Sequence, residues 1–328
     1  MDSTIRDSVN DIYGFEVVAR DGDARCGIMC TPHGTVETPA FMSVGTAGSI
    51  KSLTPRHLQE LGAEIVLANT YHLFLRPGDQ LIAELGGLHR FMSWSGPILT
   101  DSGGYQVFSL AGRRTITESG VSFRSHIDGS EHVLSPESTT DIQARLGSDI
   151  AMAFDECTPH PVTAVEAKLS MERTIRWAAR ARTRFADLVG TPYGSGAILT
   201  TPGQVQFGII QGGMYPELRE ISVRETVALG FDAYAIGGLS VGEPQTMMYD
   251  VTARTTDLLP QGRPRYLMGV GMPDDLVESV ARGVDMFDCV LPTRLARHGT
   301  VLTTNGRLTL RNARFARDDL PLDPACPS

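Results

Sequence analysis

The sequence predicts an α/β protein built as a (β/α)8 barrel, and three observations carry that expectation. Eight short apolar runs recur along the 328 residues, each ending in polar or glycine residues. The stretches between them read as helices, several opened by proline and closed by glycine. Several runs also lack the alternation of half-exposed strands, as parallel strands buried on both faces should. A doubly wound open sheet is the alternative architecture, but no G-x-G-x-x-G segment follows the first run.

The apolar runs are residues 40–44, 65–68, 98–100, 150–154, 207–210, 233–236, 266–268 and 286–290. Thr54-Pro55 opens the first helix and Gly62 closes it, while Ser135-Pro136 opens another that Gly147 ends. Residues 163–188 form a long helix with Val165, Leu169, Ile175 and Ala179 in register. Residues 216–230, 244–259 and 273–283 repeat the proline-in, glycine-out punctuation. Two parts stand outside the repeat. Residues 12–35 surround Asp21-Gly22 and predict a hairpin or small sheet ahead of the barrel. Residues 103–134 are an insertion after the third strand, with a hairpin over 123–133 around Asp128-Gly129. With no low-complexity stretch and no linker, residues 1–328 read as a single barrel domain.

A hydrophobic fraction of 41% with 20% charged residues is that of a soluble globular chain. No apolar run is long enough to span a membrane, and the start, MDSTIRDSVND, has no apolar signal core. Cys26, Cys30, Cys157, Cys289 and Cys326 form no regular framework, which fits a reducing cytoplasm. Cys26 and Cys30 lack a second pair and read as strand or turn residues. The net charge of −9 argues mildly against a polyanionic partner. Its distribution argues the other way, because residues 289–317 hold Arg294, Arg297, Arg307, Arg311, Arg314 and Arg317 but no Asp or Glu. On charge alone, a nucleic-acid footprint and a solvated basic face are both open.

In such barrels the reactive groups stand where strands run into the following loops. Those positions are Asn69, Thr70, Asp101, Asp155, Gln211, Gly237, Gly238, Gly269 and Asp288. Asp101 and Asp155 have a structural alternative as helix caps, and Gln211-Gly212-Gly213 as a plain loop. Asp288, set among Met286, Phe287, Cys289 and Val290, has less of one, because a carboxylate in an apolar strand is costly unless paired or employed. Two carboxylates facing one anomeric carbon suit glycosyl chemistry, one as nucleophile and one moving the leaving group's proton. A further carboxylate, an amide and exposed glycine backbone suit the donors and acceptors of a purine edge. Tyr105 and Met268 would stack on a flat base, or else pack in the core.

The motifs then resemble one family. Thr70-Tyr71-His72-Leu73 through Arg76-Pro77-Gly78, Asp101-Ser102-Gly103-Gly104-Tyr105-Gln106 and Phe154-Asp155-Glu156-Cys157 are similar to blocks of the tRNA-guanine transglycosylases. So are Gly208-Ile209-Ile210-Gln211-Gly212-Gly213, the stretch from Ile236-Gly237-Gly238-Leu239 to Glu243, Tyr266-Leu267-Met268-Gly269-Val270-Gly271, and Met286-Phe287-Asp288-Cys289 through Arg294. The series runs in order from about Tyr13 to the C-terminus. The resemblance implies a pentosyltransferase that exchanges the wobble guanine of tRNAs with GUN anticodons for 7-aminomethyl-7-deazaguanine, through a covalent aspartyl–RNA intermediate on the way to queuosine. It makes Asp288 the nucleophile and Asp101 the general acid/base. Base binding falls to Asp101, Ser102, Gly103, Gly104, Tyr105, Asp155, Gln211, Gly238, Leu239 and Met268. Contact with the tRNA anticodon loop falls to Gly269, Val270, Gly271, Met272, Pro273, Asp274 and Asp275, and to Thr293, Arg294, Leu295, Ala296 and Arg297. Cys157 and Val241 resemble the bacterial versions of positions that choose the incoming deazaguanine.

Two departures accompany the resemblance. Leu295 stands where the family usually has asparagine, and an apolar side chain cannot repeat an amide's hydrogen bonds. Family members also carry a C-x-C-x-x-C segment and a later histidine for a structural zinc, of which only Cys326 is matched. No cofactor is therefore expected for this chain, and a homodimer weakened by the shorter C-terminus is. The alternative reading is a catalytically impaired or truncated tRNA-binding paralogue.

Overall fold

Strands that are apolar on both faces need cover on both, and a closed ring wrapped by helices provides it. The computed structural model describes residues 13–110, 114–189, 201–304 and 306–325, and it has this arrangement. The chain enters through an antiparallel sheet of β1 (Gly14–Asp21), β2 (Ala24–Thr31) and β3 (Gly34–Thr38). The barrel then runs β4 (Ala40–Gly45), α1 (Pro55–Glu60), β5 (Val66–Ala68), α2 (Thr70–Leu75), α3 (Asp79–Glu84), α4 (Gly87–Met92) and β6 (Ile98–Thr100). After β6 come α5 (Gly104–Leu110), a second antiparallel sheet of β7 (Arg114–Ile116), β8 (Val121–Arg124) and β9 (Glu131–Leu134), and α6 (Pro136–Leu146). The remaining units are β10 (Ile150–Met152), α7 (Ala164–Val189), β11 (Val205–Ile210), α8 (Pro216–Ala228) and β12 (Ala233–Ile236). They are followed by α9 (Gln245–Leu258), β13 (Arg265–Leu267), α10 (Pro273–Val280) and β14 (Met286–Cys289). The last elements are α11 (Leu291–Arg297) and the hairpin of β15 (Thr300–Thr303) and β16 (Gly306–Thr309).

Every barrel neighbour pairs in parallel, and β14 closes the ring on β4 with Asp288 opposite Met42. Met42, Leu67, Leu99, Met152, Phe207 and Tyr266 meet inside. The N-terminal sheet covers the end where the strands begin, sending Met29 and Val36 into the same core. Polar bonds fasten it there. Arg25 on β2 forms a fully buried ion pair with Asp285, just before β14, and also donates to the Gln261 and Arg263 carbonyls. His33, in the turn after β2, and His89, on α4, both bond Asp149 just before β10, at 2.8 and 3.0 Å. The opposite mouth stays open. Among the described residues no helix is long and apolar enough to cross a membrane.

The helix ends follow the expected local chemistry. Thr54 caps α1 by accepting from the His57 amide, and Ser135 caps α6 by accepting from the Ser138 amide. Gly147 ends α6 in the left-handed conformation. Two of the connections between barrel strands show the differences from expectation most clearly. Three helices of six residues each fill the space between β5 and β6. Each is too short to show a helical period in sequence, and glycines separate them. The expected hairpin in the insertion gains a third strand, β7, whose three residues are too few to show alternation.

Candidate active site

The strand-end residues converge. A cavity of about 250 Å3 opens at the C-terminal mouth of the barrel, lined by Asn69, Asp101, Asp155, Gln211, Gly237, Gly238, Gly269 and Asp288. They stand in or just after seven different strands, Gly237 and Gly238 sharing one, so barrel closure alone brings residues 69 and 288 to one chamber.

Asp288 sits within β14, and its Oδ1 accepts from the Tyr266 hydroxyl at 2.6 Å and the Gly269 amide at 2.8 Å. Neither bond uses Oδ2. Burial pushes the Asp288 carboxyl above the usual range, and these two donors pull it back toward the ionised form. Asp101 follows β6, accepting from the Thr70 amide at 2.8 Å and from the Asn69 side-chain amide. Asn69 simultaneously caps α2 through the His72 amide. Burial raises the Asp101 carboxyl to about 7; the Thr70 amide opposes that rise, and the nearby Asp288 and Asp155 charges add to it. A carboxyl poised there can both give and take a proton near neutral pH.

The third carboxylate, Asp155, accepts from the Ser102 hydroxyl at 2.9 Å and the Gln211 side-chain amide at 2.8 Å. Burial raises it too, with Gln211 and Ser102 opposing. Two glycines are required for this packing. A Cβ on Gly104 would lie 2.6 Å from the Asp155 carbonyl, and one on Gly238 would lie 2.4 Å from the Gln211 oxygen. Neither Gly103 nor Gly104 lines the cavity; together they turn the chain from Asp101 into α5. Leu239 and Val241 line the wall, and the Glu243 carboxylate holds this turn by accepting from the Ser240 and Val241 amides. Tyr105 lines the opening with half its surface exposed, at 50%, and Met268 lies on the half-buried wall, so both offer faces to a flat ligand. Cys157 lines the same chamber, where burial pushes its thiol up to about 12, an unreactive neutral group.

The outer segments flank the mouth unevenly. Gly269 reaches the cavity, Val270 and Gly271 are buried, and Met272 leads into α10. Pro273 and Asp274 are exposed, but Asp275 accepts from Gln245 and from the Tyr249 hydroxyl, which holds α10 to α9. Thr293, Arg294, Leu295, Ala296 and Arg297 lie on α11, which begins one residue after the cavity-lining Val290. Arg294 and Arg297 are exposed and Leu295 is half-buried. Cys326 lies outside the described residues.

Sequence reasoning passed over Tyr266 and Gln106, which also line the cavity. The signal for Tyr266 was available: on β13 it shares the inward face with Met268, two residues on. Among the described residues one cluster has metal-ligand chemistry, His33, His89 and Asp149, at the opposite end of the strands. Its rings stack at 3.5 Å and 17°, which sends their lone pairs along parallel rather than converging lines. Both Asp149 oxygens also take backbone amides, from His33 and Ile98. The cluster fits a hydrogen-bonded strut better than a metal centre.

Comparison with known proteins agrees over nearly the whole length. The family model described as queuine tRNA-ribosyltransferase matches residues 21–328. The queuine tRNA-ribosyltransferase of Pelotomaculum thermopropionicum is 58% identical over 303 residues, covering 92% of this chain and 78% of that protein. Its counterpart in Desulforudis audaxviator is 57% identical over 314 residues, covering 95% of this chain and 81% of the relative. The counterpart in Desulforamulus reducens is 56% identical over 303 residues, covering 92% and 78%. With the motif series, the closed barrel and the three-carboxylate chamber, these matches identify the chain as a member of the queuine tRNA-ribosyltransferase family, the tRNA-guanine transglycosylases.

Proposed function

We propose that this transglycosylase exchanges the wobble guanine of tRNA for 7-aminomethyl-7-deazaguanine through a covalent bond to Asp288. The observation that carries the reading is the division of labour among the three carboxylates of the chamber. Asp288 takes two donors on one oxygen, Asp101 is poised near neutrality, and Asp155 is oriented by Ser102 and Gln211.

The target base leaves its stack to enter the chamber, with exposed Arg294 and Arg297 beside the mouth to take phosphates. Asp155, Gln211, Gly238 and the Leu239 carbonyl read the purine edge, and Tyr105 and Met268 cover its faces. The Asp288 carboxylate bonds C1′ as the C1′–N9 bond breaks and the electron pair passes to the purine. The departing guanine takes the proton of Asp101. The incoming deazaguanine then occupies the same edge-reading groups. Asp101, now a carboxylate, takes its N9 proton, N9 bonds C1′, and Asp288 leaves. Tyr266 and Gly269 serve both halves by stabilising Asp288 whenever it is an anion.

Trapping tests the covalent step. Wild-type protein mixed with a tRNA anticodon stem-loop should give a denaturation-resistant adduct, and Asp288→Asn should give none. An adduct of equal yield in the variant would move the covalent role to another residue. Incorporation of labelled guanine into bulk tRNA reports the exchange itself.

A further inference from the structure

What aims the base-reading carboxylate is less obvious than what it bonds. The barrel ladder ends before Asp155, with the Ala153 amide on the Phe207 carbonyl at 2.9 Å. From there to Thr163 the chain has no helix or strand. The neighbours of Asp155 are nevertheless tied down on the other side. The Phe154 ring stacks on Trp177 of α7 at 5.0 Å and 16°. Glu156 uses all three of its polar groups on the same helix. Its amide donates to Thr174 Oγ1 at 3.0 Å, its carbonyl accepts from Ser170 Oγ at 3.0 Å, and its carboxylate pairs with Arg173. Residues 170, 173, 174 and 177 are spaced as one face of a helix. In an extended tract successive side chains alternate, so anchoring 154 and 156 to α7 turns 155 the other way, into the cavity.

We propose that Glu156 is the positioning residue of the base-reading site, clamped to Ser170, Arg173 and Thr174 of α7 so that Asp155 faces the purine edge. The proposal rests on the reading of Asp155 as the group that takes the guanine edge. Helix α7 makes a firm anchor, because Arg176 pairs with Glu118 of the insertion at 2.7 Å and Arg180 with Glu137 of α6 at 2.7 Å. The clamp is also electrostatic. The Glu156 charge pushes the Asp155 carboxyl upward, and Arg173 is the counter-ion of Glu156.

The two halves of the clamp therefore perturb Asp155 in opposite directions, and the test uses that. Base exchange is measured with labelled guanine across pH for wild type, Glu156→Gln, Arg173→Met, Arg173→Lys and Asp155→Asn, with tRNA affinity measured separately. Glu156→Gln and Arg173→Met should each raise the KM for guanine about tenfold, the scale of one charge-assisted bond, with tRNA Kd within about twofold of wild type. Arg173→Lys should restore part of the loss. The acid limb of kcat/KM for guanine should move to higher pH in Arg173→Met and to lower pH in Glu156→Gln. A raised guanine KM in Asp155→Asn with no change in either clamp variant would overturn the clamp and leave the base-reading role standing. An unchanged KM in Asp155→Asn would overturn both. Losses of guanine and tRNA affinity in equal proportion would reduce the clamp to general packing. Should Arg173→Met fail to fold, the near-isosteric Glu156→Gln still decides.

Discussion

Replacing Asp101 with asparagine should make the protein more stable at alkaline pH while disabling it. The folded carboxyl is raised to about 7 against an ordinary value of 3.8. The folded state therefore holds the proton more tightly than the unfolded chain does. Below about pH 4 both states are protonated and the group contributes nothing to the pH dependence. Between about pH 4 and 7 only the unfolded chain ionises, and stability falls by about 1.4 kcal/mol per unit as pH rises. Above about pH 7 both states are ionised and the full cost, about 4 kcal/mol, stays constant. Asparagine does not titrate and can still accept from the Thr70 amide, but it faces the Asn69 side-chain amide donor-to-donor. Losing that bond costs about 1 kcal/mol. The two effects nearly cancel at about pH 5, and the variant should be about 3 kcal/mol more stable at about pH 8.

Denaturant titrations of both proteins across that range, followed by fluorescence of the buried Trp94 and Trp177, give the difference directly. Base exchange on the same samples should fall by about 10²–10⁴-fold in the variant, the usual contribution of a general acid/base. A stability difference that stays flat with pH would refute the buried, proton-holding Asp101 on which the acid/base role depends. A difference that grows as pH falls would refute it more directly.

Three further outcomes follow from other parts of the structure. Arg25→Met strands the fully buried Asp285 and should cost about 3–5 kcal/mol, much of it recovered by adding Asp285→Asn; equal instability of the double variant would show that packing, not charge, is lost. His89→Ala removes a donor that holds the Asp149 carboxyl below its usual range. Its destabilisation should be full above about pH 4 and shrink as pH falls through the lowered Asp149 value, so a loss that widens in acid would contradict the strut. Charge reversal of Arg294 and Arg297 together should weaken tRNA binding and flatten its salt dependence, leaving free guanine binding unchanged. An unaltered salt slope would make α11 a solvated face.

The sequence alone determined the order of the eight barrel strands and of the longer helices between them, because apolar period, proline entry and glycine exit are local properties. It also determined which residues stand at the strand tips, since a barrel has only one reactive end, and so Asp101, Asp155, Gln211 and Asp288 could be named beforehand. Local signals failed where elements were too short, as in α2 to α4 and β7. They were also silent on pairings that only the assembled barrel makes. Arg25 and Asp285 are 260 residues apart and Tyr266 and Asp288 are 22, and nothing in either stretch announces the other. The protonation states were equally out of reach, because the Asp101 carboxyl is shifted by burial and by the charges of Asp288 and Asp155, which other strands bring in. Composition and order decide what a strand tip carries, whereas desolvation and distance, which only the folded barrel sets, decide what that group can do.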